Sequence, residues 1–209
     1  MPAETDPARS RVAGILLAAG TSSRMGTNKL LLEIGGQPLV ARVARAALAG
    51  GIDPLVVVLG HDPMPVRDAL ARINCHFVVN PEHLTGQSSS VAAGIAGLPA
   101  DIAAAMVLLA DMPFVSAEMV RGLLERRRES GARLVISRYG EVQAPPALYE
   151  RSLFGELSRM SDGRCGREVI ARHREEAEAM IWPEERLADL DMPADVERVR
   201  ALAAALDSA

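Results

Sequence analysis

Five short, mostly apolar runs recur along the chain, and each of the first four is followed by a segment with helical spacing. Val12–Ala18 (VAGILLA), Leu55–Leu59 (LVVVL), His76–Val79, Ala104–Leu109 (AAMVLL) and residues 134–137 read as strands. Most of them lack the in–out alternation of a half-wetted sheet, so both faces must be covered. Strands alternating with helices are the pattern of a parallel α/β sheet. Helices are expected over residues 38–49, 65–73, 88–98 and 117–130. Pro38 suits a first helical turn, Gly50-Gly51 a helix end, and Ser116 with Glu118 a capped N-terminus closed at its far end by Gly131. Residues 30–34 read as a short extended piece ended by Gly35-Gly36.

Beyond residue 137 the alternation weakens. Residues 142–149 contain Pro145-Pro146, which lack ladder donors, so a central strand is not expected there. Residues 152–160 and 166–173 look helical, 179–182 extended, and 193–206 form an amphipathic helix. The reading is one domain over residues 11–209, with an irregular C-terminal third, behind a flexible tail of residues 1–10. A chain of 209 residues can bury a core of its own.

Composition narrows the partners. Aromatics are 3% of residues, too few for the stacking platforms of a single-strand nucleic-acid module. The net charge is −4, so no general basic field draws in nucleic acid or an anionic membrane. No apolar run reaches the ~18 residues of a membrane span. The start, MPAETDPARSR, has no apolar signal region. Cys75 and Cys165 are far apart and neither belongs to a C-x-x-C pair. These observations set a cytoplasmic, reduced setting as the expectation, with no nucleic-acid or membrane partner.

The chemistry concentrates where strands end. After β-like Val12–Ala18 come Ala19, Gly20, Thr21, Ser22, Ser23 and Gly26, a loop whose N–H groups can cradle phosphate oxygens. Arg24 and Lys29 are its cations, a planar fork and a point charge suited to a polyphosphate. Neither the Walker pattern nor G-x-G-x-x-G is present, and a plain βα turn has similar spacing. Asp111 follows the fourth strand, at the sheet edge where ligands of open parallel sheets bind; it can hold Mg²⁺ beside phosphates or cap the next turn. In DLDMP, Asp189 and Asp191 share one side of an extended segment, and either a second metal ligand or a helix cap fits. Asn80 and the run Gly86-Gln87-Ser88-Ser89-Ser90 offer amide, hydroxyl and N–H donors at a helix start, for a ligand or for capping. His61, His76, His83 and His173 show no metal-ligand spacing and read as structural or exposed.

LLAAGTSSRMGTNKLLL at residues 16–32 resembles the signature loop of the nucleotidyltransferases that activate molybdenum cofactor. GQSSS, LLADMP and DLDMP match the same family in the same order, and together the matches span nearly the whole chain. Ala18-Ala19-Gly20 and the Leu-Leu after Lys29 look more like the cytidylyltransferase branch than the guanylyltransferase branch. The resemblance implies a single Rossmann-like, three-layer α/β domain with a mostly parallel sheet. It implies transfer of CMP from CTP to a phosphorylated acceptor, molybdopterin or molybdenum cofactor, with release of pyrophosphate and Mg²⁺ as cofactor. Arg24 and Lys29 become the catalytic cations, Ala18, Ala19, Gly20, Asn80, Ser88 and Ser89 the nucleotide-binding residues, and Asp111 and Asp191 the metal ligands. A molybdoenzyme or its chaperone is implied as the partner receiving the product. The chain departs from the pattern on the acceptor side: residues 142–146 lack the family's Gly-His-Pro, and residues 161–167 match its Gly-Asp-x-Gly-Ala-Arg element only loosely. A sugar- or alcohol-phosphate nucleotidyltransferase, and a nucleotide-binding regulator without transfer activity, are the competing expectations.

Overall fold

The computed structural model describes residues 11–20, 28–160, 166–188, 190 and 195–207; the expected tail at residues 1–10 lies outside them. In chain order the elements are β1 (Val12–Ala18), β2 (Glu33–Ile34), β3 (Gln37–Pro38), α1 (Leu39–Ala49), β4 (Leu55–Leu59), α2 (Pro63–Ala69), β5 (His76–Val79) and α3 (Gln87–Ala96). Then follow β6 (Ala104–Leu109), α4 (Ala117–Ser130), β7 (Leu134–Tyr139), β8 (Val142–Glu150), α5 (Phe154–Leu157), α6 (Arg167–Arg172), β9 (Glu178–Trp182) and α7 (Asp195–Asp207).

β1 is buried along its whole length because it sits mid-sheet between β4 and β6, parallel to both. The seven-stranded sheet runs β5-β4-β1-β6-β8-β7-β9. β8 is antiparallel to β6 and β7, whereas β5, β4, β1, β6, β7 and β9 all point one way. Side chains alternate between two cores. Leu16 and Ala18 join Val40 and Val43 of α1, Val120 and Leu123 of α4, and Val199 of α7. Ala13, Ile15 and Leu17 join Val91 of α3, Phe154 and Leu157 of α5, and Val169 of α6. Three layers result, as the apolar, two-sided strands require. Each fully buried Leu, Ile or Val contributes about 1.5–3 kcal/mol relative to exposure.

Two expectations are corrected. Residues 30–34 do not form one extended piece. Lys29–Leu31 is a 3₁₀ turn, started by the Asn28 side-chain oxygen, which accepts from the Leu30 N–H at 3.1 Å. Only β2 is extended, and it pairs with β3 across Gly35-Gly36. Second, residues 142–149 belong to β8, an interior strand, despite the two prolines. β8 pairs with β6 only from Ala147 to Glu150. Opposite β7 the register shifts between Ile136↔Ala147 and Ser137↔Ala144, so Pro145 and Pro146 fall in the irregular stretch where no ladder donor is required. Their carbonyls are satisfied by side chains: Ser137 Oγ donates to Pro146 O at 2.7 Å and the Tyr139 hydroxyl to Pro145 O at 2.8 Å.

Candidate functional site

The carboxyl ends of the neighbouring parallel strands β1 and β6 open onto one hollow of about 280 Å³. Ala18, Ala19 and Gly20 form one wall, continuing from β1. Lys29 and Asp111 line the same hollow as His83, Leu84, Gly86, Gln87 and Ser90. The lining therefore combines an ion pair with an imidazole, an amide, a hydroxyl and an apolar side chain.

Lys29 Nζ donates to Asp111 Oδ2 at 2.7 Å, and their side chains are 13% and 25% exposed. Lys29 is carried by the 3₁₀ turn that follows the β1 loop, and Asp111 by the turn after β6. Ala110 N–H donates to Leu17 O at 3.1 Å, tying that turn to β1. Arg42 Nε of α1 donates to Pro113 O at 2.9 Å, holding the same turn from the helix layer. The carboxylate is therefore presented by fixed backbone, which is what a ligand for a hard cation needs.

Asn80, at the end of β5, is 3% exposed, and its groups are taken within the protein. Its amide nitrogen donates to Ser89 Oγ at 2.9 Å and Ser90 Oγ at 3.0 Å, and its side-chain oxygen accepts from Glu82 N–H at 2.9 Å. Its backbone carbonyl accepts from His83 Nδ1 at 3.1 Å. Asn80 thus staples β5 to the start of α3. With Ser88 and Ser89 it lines a separate concavity beside Pro81 and Glu82, not the hollow of Lys29 and Asp111.

Of the expected site residues, the structure therefore brings together Ala18, Ala19, Gly20, Lys29 and Asp111. Asn80, Ser88 and Ser89 stand apart. Arg24 and Asp191 lie outside the described residues. Of the run offered as ligand donors, Gly86, Gln87 and Ser90 line the hollow, joined by His83, which was read as structural or exposed, and by Leu84, which was not singled out. Gln87 and Ser90 are three apart on α3 and share a face, a spacing visible in the sequence. His83 follows the carboxyl end of β5 closely, and that position was its signal.

A second hollow of about 230 Å³ adjoins the first through Gln87 and Leu109. Val107, Ile136, Ala144, Pro145, Ala147, Tyr149 and Ile170 make it mainly apolar, and Gln143 and Arg167 add an amide and a cation. Gly166 has φ +68°, and a side chain there would collide with the Tyr149 hydroxyl, so glycine is what lets α6 begin against that wall.

Among the described residues, no three His, Cys, Asp or Glu side chains cluster as a metal site. Asp111 is the carboxylate that lines the hollow. One carboxylate supplemented by substrate phosphates suits Mg²⁺, which keeps few protein ligands, so the donor set fits a cation that arrives with a polyphosphate. No helix among the described residues is long and apolar enough to cross a membrane. Cys75 is a free thiol whose pKa burial raises, which makes it a poor nucleophile.

The sequence pattern of the MobA-like NTP transferase domain matches residues 14–177. The bifunctional protein GlmU of Anaeromyxobacter sp. strain K is 30% identical over 179 residues, covering 83% of this chain and 35% of that protein. The chain spans about a third of the length of the curated relatives it matches. The crystal structure of the Rv0371c homolog from Mycobacterium sp. strain JC1 is 27% identical with a TM-score of 0.79, covering 95% of this chain and 99% of that one. Rv0371c of Mycobacterium tuberculosis H37Rv in complex with manganese is 23% identical with a TM-score of 0.73, covering 91% of this chain and 98% of that one.

Proposed function

The chain belongs to the MobA-like NTP transferase family, and from that premise we propose that it transfers CMP from CTP to a phosphorylated acceptor, molybdopterin or molybdenum cofactor, and releases pyrophosphate. The observation that carries the transfer reading is the make-up of the first hollow: a Lys29–Asp111 pair, the Gly20 backbone, the polar side chains of His83, Gln87 and Ser90, and the apolar Leu84. A nucleoside triphosphate combines anionic phosphates with a flat base that carries hydrogen-bonding groups. In this reading its phosphates lie by Lys29, and the base lies by α3 and the turn before it. The choice of CTP rests on the Ala18-Ala19-Gly20 form of the loop, and the cytoplasm is the proposed setting.

In the reaction, an oxygen of the acceptor phosphate attacks the α-phosphorus in line. The new bond joins that oxygen to phosphorus, and the bond to the β-phosphate oxygen breaks as pyrophosphate leaves. The acceptor phosphate is ionised at neutral pH, so the protein need not remove a proton. Lys29 neutralises charge that builds on the phosphates, and the N–H groups of Ala19 and Gly20 add dipoles beside it. Arg24 is proposed as the second cation. Asp111, with Asp191 as the proposed second carboxylate, would hold Mg²⁺; manganese in the complex with Rv0371c supports a divalent ion here. Bound Mg²⁺ supplies Lewis-acid neutralisation of the phosphate oxygens. The second hollow receives the acceptor, with Arg167 toward its phosphate and the apolar wall toward its body.

The test is pyrophosphate release by purified protein with Mg²⁺, each nucleoside triphosphate, and either molybdenum cofactor or sugar phosphates as acceptor. Release with CTP and molybdenum cofactor is the expected result. Release with a sugar phosphate alone replaces the acceptor, and binding of nucleotide without release under any pairing identifies a regulator.

A further inference from the structure

We infer that His83 selects the base, accepting a hydrogen bond from the amino group at the 4-position of cytosine or the 6-position of adenine and disfavouring uracil and guanine, which carry a carbonyl at the matching position. The inference rests on the reading of the first hollow as a nucleotide site.

The ring's hydrogen position follows from its partner. His83 Nδ1 lies 3.1 Å from the Asn80 carbonyl oxygen. A carbonyl oxygen only accepts, so Nδ1 carries the hydrogen. In a neutral imidazole Nε2 is then an acceptor. Nε2 has no hydrogen-bond partner among the described residues, and His83 lines the hollow.

The ring is also held in place. Gly60, at the end of β4, approaches it so closely that a Cβ there would lie 2.8 Å from His83 Cβ and Cγ. The same Cβ would lie 2.5 Å from the Ala19 carbonyl oxygen, so the glycine packs the His83 turn directly against the nucleotide-facing end of β1. His61 flanks the ring at 6.3 Å between centroids, tilted 36°. Asn80, which fixes the tautomer, is itself buried and clamped to Ser89 and Ser90. A preset acceptor beside the apolar Leu84 side chain meets a flat base that carries a hydrogen-bond donor on its edge. A base with a carbonyl at that position places two acceptors face to face, which leaves both unpaired.

CTP and UTP isolate the effect, because they share sugar, phosphates and ring size and differ at the 4-position and N3. Dissociation constants for CTP, UTP, ATP and GTP are measured by calorimetry with Mg²⁺, for the wild type, His83→Ala and His83→Lys, each checked for folding by circular dichroism. The wild type should bind CTP at least about tenfold more tightly than UTP. His83→Ala should bring the two within about threefold, and His83→Lys, which offers only donors, should favour UTP. Equal binding of CTP and UTP by the wild type, or an unchanged ratio in folded His83→Ala, overturns the assignment while leaving the transferase reading intact. If one variant does not fold, the other decides. If no nucleoside triphosphate binds the wild type, the site reading falls and the inference falls with it.

Discussion

Lys29 and Asp111 form a 2.7 Å pair in a largely shielded position, and each has a separate expected consequence when removed. Lys29→Ala takes away a donor whose charge matters most as negative charge shifts toward the leaving pyrophosphate. The expected loss in kcat/KM is on the order of 100-fold, read from steady-state pyrophosphate release. A folded variant with near-native turnover would refute the role. Asp111→Ala removes the carboxylate at the hollow, so Mn²⁺ binding in the presence of CTP, followed by electron paramagnetic resonance, should fall by about tenfold or more. An unaltered Mn²⁺ titration would remove Asp111 from the ligand set. Both residues were legible in the sequence: Asp111 because a charge directly beyond an apolar strand has one place to go, the edge of the sheet, and Lys29 as one of the two cations of the Gly/Ser-rich segment after β1. His83 was not, and Ser90 was legible only as one of a run of three. Which of three successive serines faces a cavity depends on the phase of α3, and that phase is set by the Asn80 staple, a contact between segments nine and ten residues apart.

The elements themselves were the most legible part of the fold. Val12–Ala18, Leu55–Leu59, His76–Val79, Ala104–Leu109 and Ala117–Ser130 have the bounds expected of them, since apolar runs and caps are local signals. β8 failed that reading because its stability is not local. The rule against proline assumes a regular ladder, and the β7–β8 register shift removes the ladder where the prolines sit. Ser137 completes the substitution of side chains for ladder bonds. Its hydroxyl is fully buried, donates to Pro146 O at 2.7 Å and accepts from Trp182 Nε1 at 3.0 Å, linking β8, β7 and β9. Ser137→Ala leaves a buried carbonyl and an indole N–H without partners. Unfolding by urea should show a loss of about 1–3 kcal/mol, with the transition slope unchanged. No shift in the midpoint would mean that water replaces the hydroxyl.

At the scale of the molecule, the reversed strand divides the labour of the sheet. On the side of β1 and β6, parallel strands end together, and their turns build the first hollow with the turn after β5 and the start of α3. Around β8, whose chain direction is opposite, residues 143–147 bring an amide and an apolar wall to the second hollow, and α6 adds Arg167. The two hollows share Gln87 and Leu109, so a nucleotide in one and an acceptor in the other would lie side by side. This arrangement predicts a separation of effects. Arg167 lines the second hollow and not the first, so Arg167→Ala should leave the dissociation constant for CTP unchanged. It should raise KM for the phosphorylated acceptor by about tenfold, the lower end of the range for a lost charge-assisted hydrogen bond, because Arg167 is exposed. Arg167→Lys keeps the charge but not the planar fork and should recover part of that loss. Calorimetry with CTP alone, set beside acceptor saturation curves at fixed CTP, reads the two constants independently. A weakened CTP affinity in Arg167→Ala, or an unchanged acceptor KM, would mean that the second hollow is not where the acceptor phosphate is held.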